Sequence, residues 1–274
     1  MWSTLNQFSN FLFDLLLWPF SGLSPEWQIF VLAVPATIMS LLVFKYSSNQ
    51  EGIQLNKDKI KAYLLEMRLF KDDLGVTLGA EKKILRHTAA YLGYALLPMA
   101  VMIIPFILIL VQVESRFAFK SLDIGKQLIL SVTVDSEIPI YDVKSILELP
   151  DGLVKTTPAM RIDDSKEILW RIRAEKAGTY QAVVTIDDQS IEKQLVIDQG
   201  ALPLSPTVYR ANDIRSIGYP IEPTLDANLT VSEIEVTYPR ARAEFAGLSS
   251  ASWLLVLYTL ILGFVMRGFF GVTF

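Results

Sequence analysis

Few side chains in this 274-residue chain suit chemistry. Asp163-Asp164 and Asp187-Asp188 are adjacent carboxylates, the kind of pair that shares a cation or divides acid and base roles. Both pairs sit among turn formers. A calcium site takes about six to eight oxygens, and the spacing supplies no further ligands, so the pairs read as turn acids. Cysteine is absent, which removes disulfides, thiolate zinc sites, iron–sulfur clusters and a cysteine nucleophile. The single histidine, His87, is too little for an imidazole metal site and reads as a bystander at the edge of an apolar run. With neither an activated nucleophile nor a metal or cofactor motif, the expectation is a protein that is not an enzyme and holds no cofactor. A net charge of −4 gives no reason to expect a nucleic-acid site.

The remaining polar residues are set in an apolar chain. Hydrophobic residues make up 51% and charged ones 20%, and the mean hydropathy is +0.37. That balance excludes an ordinary soluble enzyme and predicts a membrane protein with a separate polar domain. Three stretches reach the roughly 20 apolar residues that a span requires: Trp27 to Phe44, Thr88 to Val113, and Ala246 to Met266. Trp27 at one end of the first, and Lys45-Tyr46 at the other, are interfacial anchors. Pro35, Pro98 and Pro105 fall inside spans, where kinks shape cavities. Residues 1–26 carry Phe8, Phe11, Leu12, Leu15, Leu16 and Trp18 without a basic start or a small-residue cleavage site. They read as an interfacial helix lying along the membrane rather than a removed signal peptide.

Charge sets the expected orientation. Between Lys45 and Ala90, nine basic residues face six acids, whereas residues 114–245 carry fifteen basic and twenty-one acidic residues. The dense basic loop predicts residues 45–90 and the C-terminus in the cytoplasm, with the N-terminus and residues 114–245 outside. A bacterial inner (plasma) membrane suits this arrangement. Residues 46–87 read as a helical hairpin. Asn56 is a candidate cap, and Ile60, Tyr63, Met67, Phe70 and Leu74 recur at spacings of three and four, a short coiled-coil seam. Gly75 and Gly79 are expected to interrupt the helix, and a second helix with Ile84, Leu85 and Thr88 to continue into the second span. Lys57, Lys59, Lys61, Arg68, Lys71, Lys82, Lys83 and Arg86 make this hairpin a basic arm. The arm is either a solvated connector or a surface that meets a ribosome, a client membrane protein or another subunit.

Residues 114–245 change character. Apolar and polar residues alternate with period two around 127–134, 167–174, 179–186, 191–197 and 230–238, which predicts strands. Ile168, Trp170 and Ile172 share one face; Lys176-Ala177-Gly178 turns the chain; Tyr180, Ala182, Val184 and Ile186 face back; and Asp187-Asp188-Gln189 turns it again. Pro203, Pro206, Pro220 and Pro223 mark an irregular stretch. Short strands at this spacing predict an all-β sandwich of immunoglobulin-like type, inserted into an α-helical membrane protein whose last span and short tail occupy residues 246–274.

The order of an N-terminal amphipathic segment, a span, a cytoplasmic hairpin, a second span, an external excursion and a final span resembles the three-span core of the YidC/Oxa/Alb membrane-insertase superfamily. The similarity is nearest to the insertase subunit of the ER membrane complex and to archaeal YidC-like proteins. Ser249-Ser250-Ala251-Ser252-Trp253 resembles the serine-rich, Trp-containing start of that subunit's last span, and Phe117-Ala118-Phe119-Lys120 the segment leaving the second. The resemblance covers residues 1–120 and 245–274, and the β-domain lies where the insertase subunit has only a short connection. It implies a groove, open to cytoplasm and lipid, that lowers the cost of carrying polar groups through hydrocarbon, about 2.5–3.5 kcal/mol per central charge. Groove candidates are Thr37, Ser40, Lys45, Thr88, Ser249, Ser250, Ser252, Thr259 and Arg267. The same hydroxyls equally suit packing and hydrogen bonding between helices. One departure is that the first span holds no deep basic residue, since Lys45 lies at its end.

Two functions follow. The chain is an insertase or membrane chaperone, with membrane lipids and client membrane proteins as partners. Alternatively it is a non-catalytic scaffold subunit of an envelope complex whose external β-domain binds a protein partner.

Overall fold

The computed structural model describes residues 2–135, 139–199, 202–241, 244–245 and 247–272. The chain divides into two compact units, residues 29–109 with 254–274, and residues 1–28 with 110–253.

The first of these holds most of three helices long and apolar enough to cross a membrane: α2 (Pro25–Ser47), α4 (Leu74–Phe117) and α5 (Ser250–Phe270). At 1.5 Å per residue, α2 and α5 reach about 35 and 32 Å, enough for a hydrocarbon core of about 30 Å. The helix α2 exceeds the apolar run that predicts it, and α5 matches its run in length but lies four residues later. In α2, Ile29, Leu32, Ala33, Ala36, Thr37 and Leu41 are buried at spacings of one, three and four, so the helix turns one stripe inward and leaves most of the rest half-buried. The ring of Phe30 meets that of Tyr258 edge to face at 5.4 Å, tying α2 to α5.

The helical hairpin is present, with two corrections to its punctuation. The helix α3 (Gln50–Leu69) is capped by Asn49, whose side chain accepts from the Gly52 amide. Asn56, the expected cap, is a buried interior residue instead. The seam begins upstream of the expected one and runs through Ile53, Asn56, Ile60, Tyr63 and Met67, while Phe70 and Leu74 are exposed. The break between helices falls at Phe70–Asp73 rather than at Gly75 and Gly79, which lie within α4. Asp73 explains the restart: its carboxylate accepts from the Gly75 and Val76 amides at 2.9 and 3.2 Å, an N-terminal cap that outweighs two glycines. From there α4 runs 44 residues without interruption, through the hairpin and the second apolar run.

The second unit is built on a β-sheet domain. The strands β1 (Gln127–Val134), β5 (Glu167–Ala174), β6 (Gly178–Ile186), β7 (Gln189–Ile197) and β9 (Val231–Val236) coincide with the alternating stretches. Short β2 (Ser145–Glu148), β3 (Leu153–Lys155), β4 (Met160–Ile162) and β8 (Thr207–Tyr209) complete it. One sheet has the order β3-β5-β1-β9-β8 with β4 also on β5, and the other is β2-β6-β7; every pairing between these strands is antiparallel. Leu130, Val132, Ile168, Trp170 and Ile172 from the first sheet and Ala182, Val184, Ile186 and Leu195 from the second belong to one buried core. Lys176 to Gly178 therefore carries the chain from one sheet to the other instead of closing a hairpin. The β6–β7 turn is Asp187-Asp188 alone, because Gln189 already pairs with Ile186. Asp187 takes a positive φ of 50° there, a conformation that Asp tolerates better than most residues.

The same unit contains α1 (Trp2–Leu17), whose polar edge is occupied by protein. Asn6 and Asn10 donate to the carbonyls of Ser216 and Pro220 in the irregular stretch, at 3.0 and 2.6 Å. Gln112 donates to Ser9 and Asn10, and Arg116, buried on α4, donates to Asp14 at 2.7 Å. The opposite edge leaves Phe8, Phe11, Leu12 and Leu15 exposed, the reverse of a helix on a soluble protein.

The third apolar run starts later than expected. Its predicted first residue, Ala246, lies outside the described residues, as do Thr273 and Phe274 in the tail. Leu248–Ser249 (β11) pairs with Glu244–Phe245 (β10), so Leu248 and Ser249 are strand residues and α5 begins only at Ser250.

Candidate functional site

The residues proposed to line a groove separate into three groups. Thr37 and Ser40 from α2 and Thr259 from α5 converge on one open cleft of about 480 Å³, completed by α4 through Met99, Met102, Ile103 and Phe106. Thr37 and Leu41 form its buried floor; Met99, Ile103, Leu260 and Phe264 form an exposed rim. Its walls are less polar than the resemblance implies. Each hydroxyl donates to a carbonyl of its own helix: Thr37 to Ala33 at 2.7 Å, Ser40 to Ala36 at 2.7 Å, and Thr259 to Val256 at 2.9 Å. These bonds satisfy groups that would otherwise be stranded in apolar surroundings. Only lone pairs on the three oxygens remain to receive a polar occupant, and among the described residues no charged side chain lines the cleft.

Ser249, Ser250 and Ser252 belong to the other unit, where they open α5. The amide of Ser249 and the hydroxyl of Ser252 both donate to one oxygen of Glu114, at 2.7 and 2.6 Å, and the Ser249 hydroxyl accepts from the Ser252 amide. Arg240 lies 3.8 Å from the other carboxylate oxygen and over the ring of Phe119. A carboxylate from α4 thus lies at the N-terminal, positive end of the α5 dipole, held by the amide just before the helix and by a hydroxyl of its first turn. Around it, the chain leaving α4 and the chain returning to α5 are joined backbone to backbone, from Lys120 to Pro239 and from Ala241 to Ala118. Ala118 to Lys120, singled out for resemblance, is one side of this neck. Trp253 donates its indole N–H to the Phe245 carbonyl at 3.0 Å.

Lys45, Thr88 and Arg267 do not line the cleft. Lys45 is exposed, Thr88 is half-buried, and Arg267 is exposed with its guanidinium 5.5 Å from the centre of the Phe264 ring.

Among the basic-arm residues, Lys59, Arg68, Lys71, Lys82 and Arg86 are exposed and form no ion pair with any of the described residues. Lys61 pairs with Asp58 at 3.3 Å, Lys83 pairs with Glu66 and lies over the Tyr63 ring, and Lys57 lies over the Tyr91 ring. His87 is no bystander. The Asn56 amide donates to the Gly52 carbonyl, which leaves its side-chain oxygen to accept from His87 Nδ1 at 2.8 Å, while the imidazole stacks on Tyr63. A polar pair at a seam position fixes the register of two helices better than another apolar contact.

The acid pairs of the β-domain are turn acids. Asp163 accepts from Lys166 Nζ, which holds its carboxyl below the usual carboxylate range, and Asp187 accepts from the Lys144 amide. The unforeseen charge in this domain is Lys193, fully buried on β7, which donates to the Ser205 carbonyl at 2.6 Å and to the Glu222 carboxylate. Burial pushes the Lys193 ammonium down, and Glu222 pulls it back. The pair clips the proline-marked stretch onto the second sheet. On β9, burial and the neighbouring Glu233 raise Glu235.

The chain matches no protein-family model, no curated protein and no solved structure.

Proposed function

We propose that the chain is an integral membrane insertase or membrane chaperone of YidC/Oxa type, and that its cleft receives one flank of a client helix entering sideways from lipid. The observation that carries this reading is the convergence of Thr37, Ser40 and Thr259 on a cleft open at the flank of three span-length helices. A client's polar flank held against three oxygens avoids part of the cost of crossing hydrocarbon alone. The helical hairpin, with Lys59, Arg68, Lys71, Lys82 and Arg86 exposed, supports a role in meeting an anionic surface such as a ribosome or a client. In this reading the hairpin is cytoplasmic, α1 rests its apolar edge on the outer face of a bacterial inner membrane, and the two antiparallel sheets form an external immunoglobulin-like sandwich. Single cysteines at exposed Lys71 and Asp188, in this cysteine-free chain, read the orientation: an impermeant reagent added outside is expected to label position 188 and spare position 71, and the reverse pattern inverts the topology.

A photoreactive residue at Ser40 tests the cleft itself. Capture of a client's apolar segment during insertion is expected; capture no greater than from exposed Leu97 contradicts the reading.

The scaffold reading is favoured by one observation: Ser249 and Ser252 are committed to Glu114 at the neck of the β-domain, where they hold structure together. A partner bound to the β-domain, retained after the cleft is filled, would belong to that reading.

A further inference from the structure

We infer that the cleft among α2, α4 and α5 is a lipid site that takes the hydrocarbon of one membrane lipid. Size and wall chemistry both point there. The cleft, about 480 Å³, is walled by apolar side chains apart from the hydroxyls of Thr37, Ser40 and Thr259, and is long enough to take a stretch of lipid hydrocarbon.

The walls offer water and headgroups little beyond three oxygen lone pairs. Among the described residues no charged side chain lines the cleft, and its three hydroxyl protons are donated to Ala33, Ala36 and Val256. Water entering it would surrender hydrogen bonds, so hydrocarbon is the better occupant of these walls. An empty cleft forfeits dispersion contacts along its whole lining. A lipid tail restores those contacts without loss, and it can enter because the rim residues Met99, Ile103, Leu260 and Phe264 are exposed on the flank of span-length helices. Met99 and Met102 add side chains that adapt to a mobile chain. Gly263 completes the opening, since a Cβ placed there would find no atom within 4 Å. Lipid occupancy does not depend on insertion activity; where the insertase reading holds, the tail is what a client flank displaces.

The test uses the full chain in vesicles containing a phosphatidylcholine with a diazirine in mid-chain. After irradiation, peptide mapping is expected to find the label concentrated on 37–44, 99–106 and 256–264, above the level at exposed Leu96 and Leu97 outside the cleft. Gly263→Leu, which adds a side chain into open space and favours helix, is expected to bring cleft labelling down to the Leu96 and Leu97 level while leaving those positions unchanged. Thr259→Leu blocks the cleft one turn earlier and is expected to act alike. Equal labelling inside and outside the cleft, or cleft labelling untouched in both folded variants, overturns the lipid site. Because no client is present, neither result bears on insertion.

Discussion

Ser252, in the first turn of α5, donates its hydroxyl to Glu114 on α4 at 2.6 Å, across 138 positions of sequence. The same carboxylate oxygen takes the Ser249 amide, so one acid closes the helix start beneath the β-domain. Hydrogen bonds to a charged group contribute about 1.5–3 kcal/mol each. Glu114→Ala is accordingly expected to lower the thermal midpoint of the purified protein, with a loss of about 2–3 kcal/mol, and Ser252→Ala to lose less, because Ser249 still pairs. Thermal melting followed by circular dichroism reads both. Equal and negligible losses would make the contact incidental.

Trp170 sits 2% exposed between the sheets, with Ile168 and Ile172 on either side along β5. Trp170→Ala should cost about 3–5 kcal/mol by removing its contacts and leaving a cavity. Urea unfolding of a fragment spanning 117–241, which retains the neck ladder, measures it. A loss under about 1 kcal/mol would mean that the ring does not fill the core.

The Lys193–Glu222 pair calls for a cycle of variants. Lys193→Met alone strands a mostly buried carboxylate and is expected to cost about 3–5 kcal/mol. Lys193→Met with Glu222→Leu removes both charges and should recover most of that loss. A double variant as unstable as the single one would show that the Ser205 contact, rather than the ion pair, holds the segment.

Glu235 supplies a pH dependence. Burial, then Glu233 and Glu167, raise its pKa in the folded chain above the ordinary 4.5. Between those two values the folded state binds more protons than the unfolded one, so stability falls as pH rises through that window. Glu235→Gln should therefore stabilise the domain at pH 7 and change little below the ordinary carboxylate range. Stabilisation that is equal at both pH values would point to packing instead of charge.

The sequence made legible what repeats locally. Eight or nine alternating residues are enough to mark β1, β5, β6 and β7, and long apolar runs mark α2, α4 and α5. Three-residue β3, β4 and β8 hold too little periodicity to register, and they form because longer neighbours offer edges. Asn56 passed for a cap because an amide at a seam position breaks the apolar pattern just where a helix start would. Asp73, directly before Leu74, was the readable restart signal. Thr37, Ser40 and Thr259 were legible as hydroxyls inside spans, but their convergence was not, and Glu114 looked like an ordinary acid at a helix end because its partners lie more than a hundred residues away.

The most direct measurement is insertion of a radiolabelled client, one span with a short charged tail, into liposomes holding the purified chain. The account predicts protease-protected client above the level of empty liposomes, and a marked fall when Ser40→Leu and Thr259→Leu together fill the cleft in a folded protein. Ser252 is left intact in that variant because it supports Glu114. Protection by the unmodified chain equal to that of empty liposomes would contradict the insertase account.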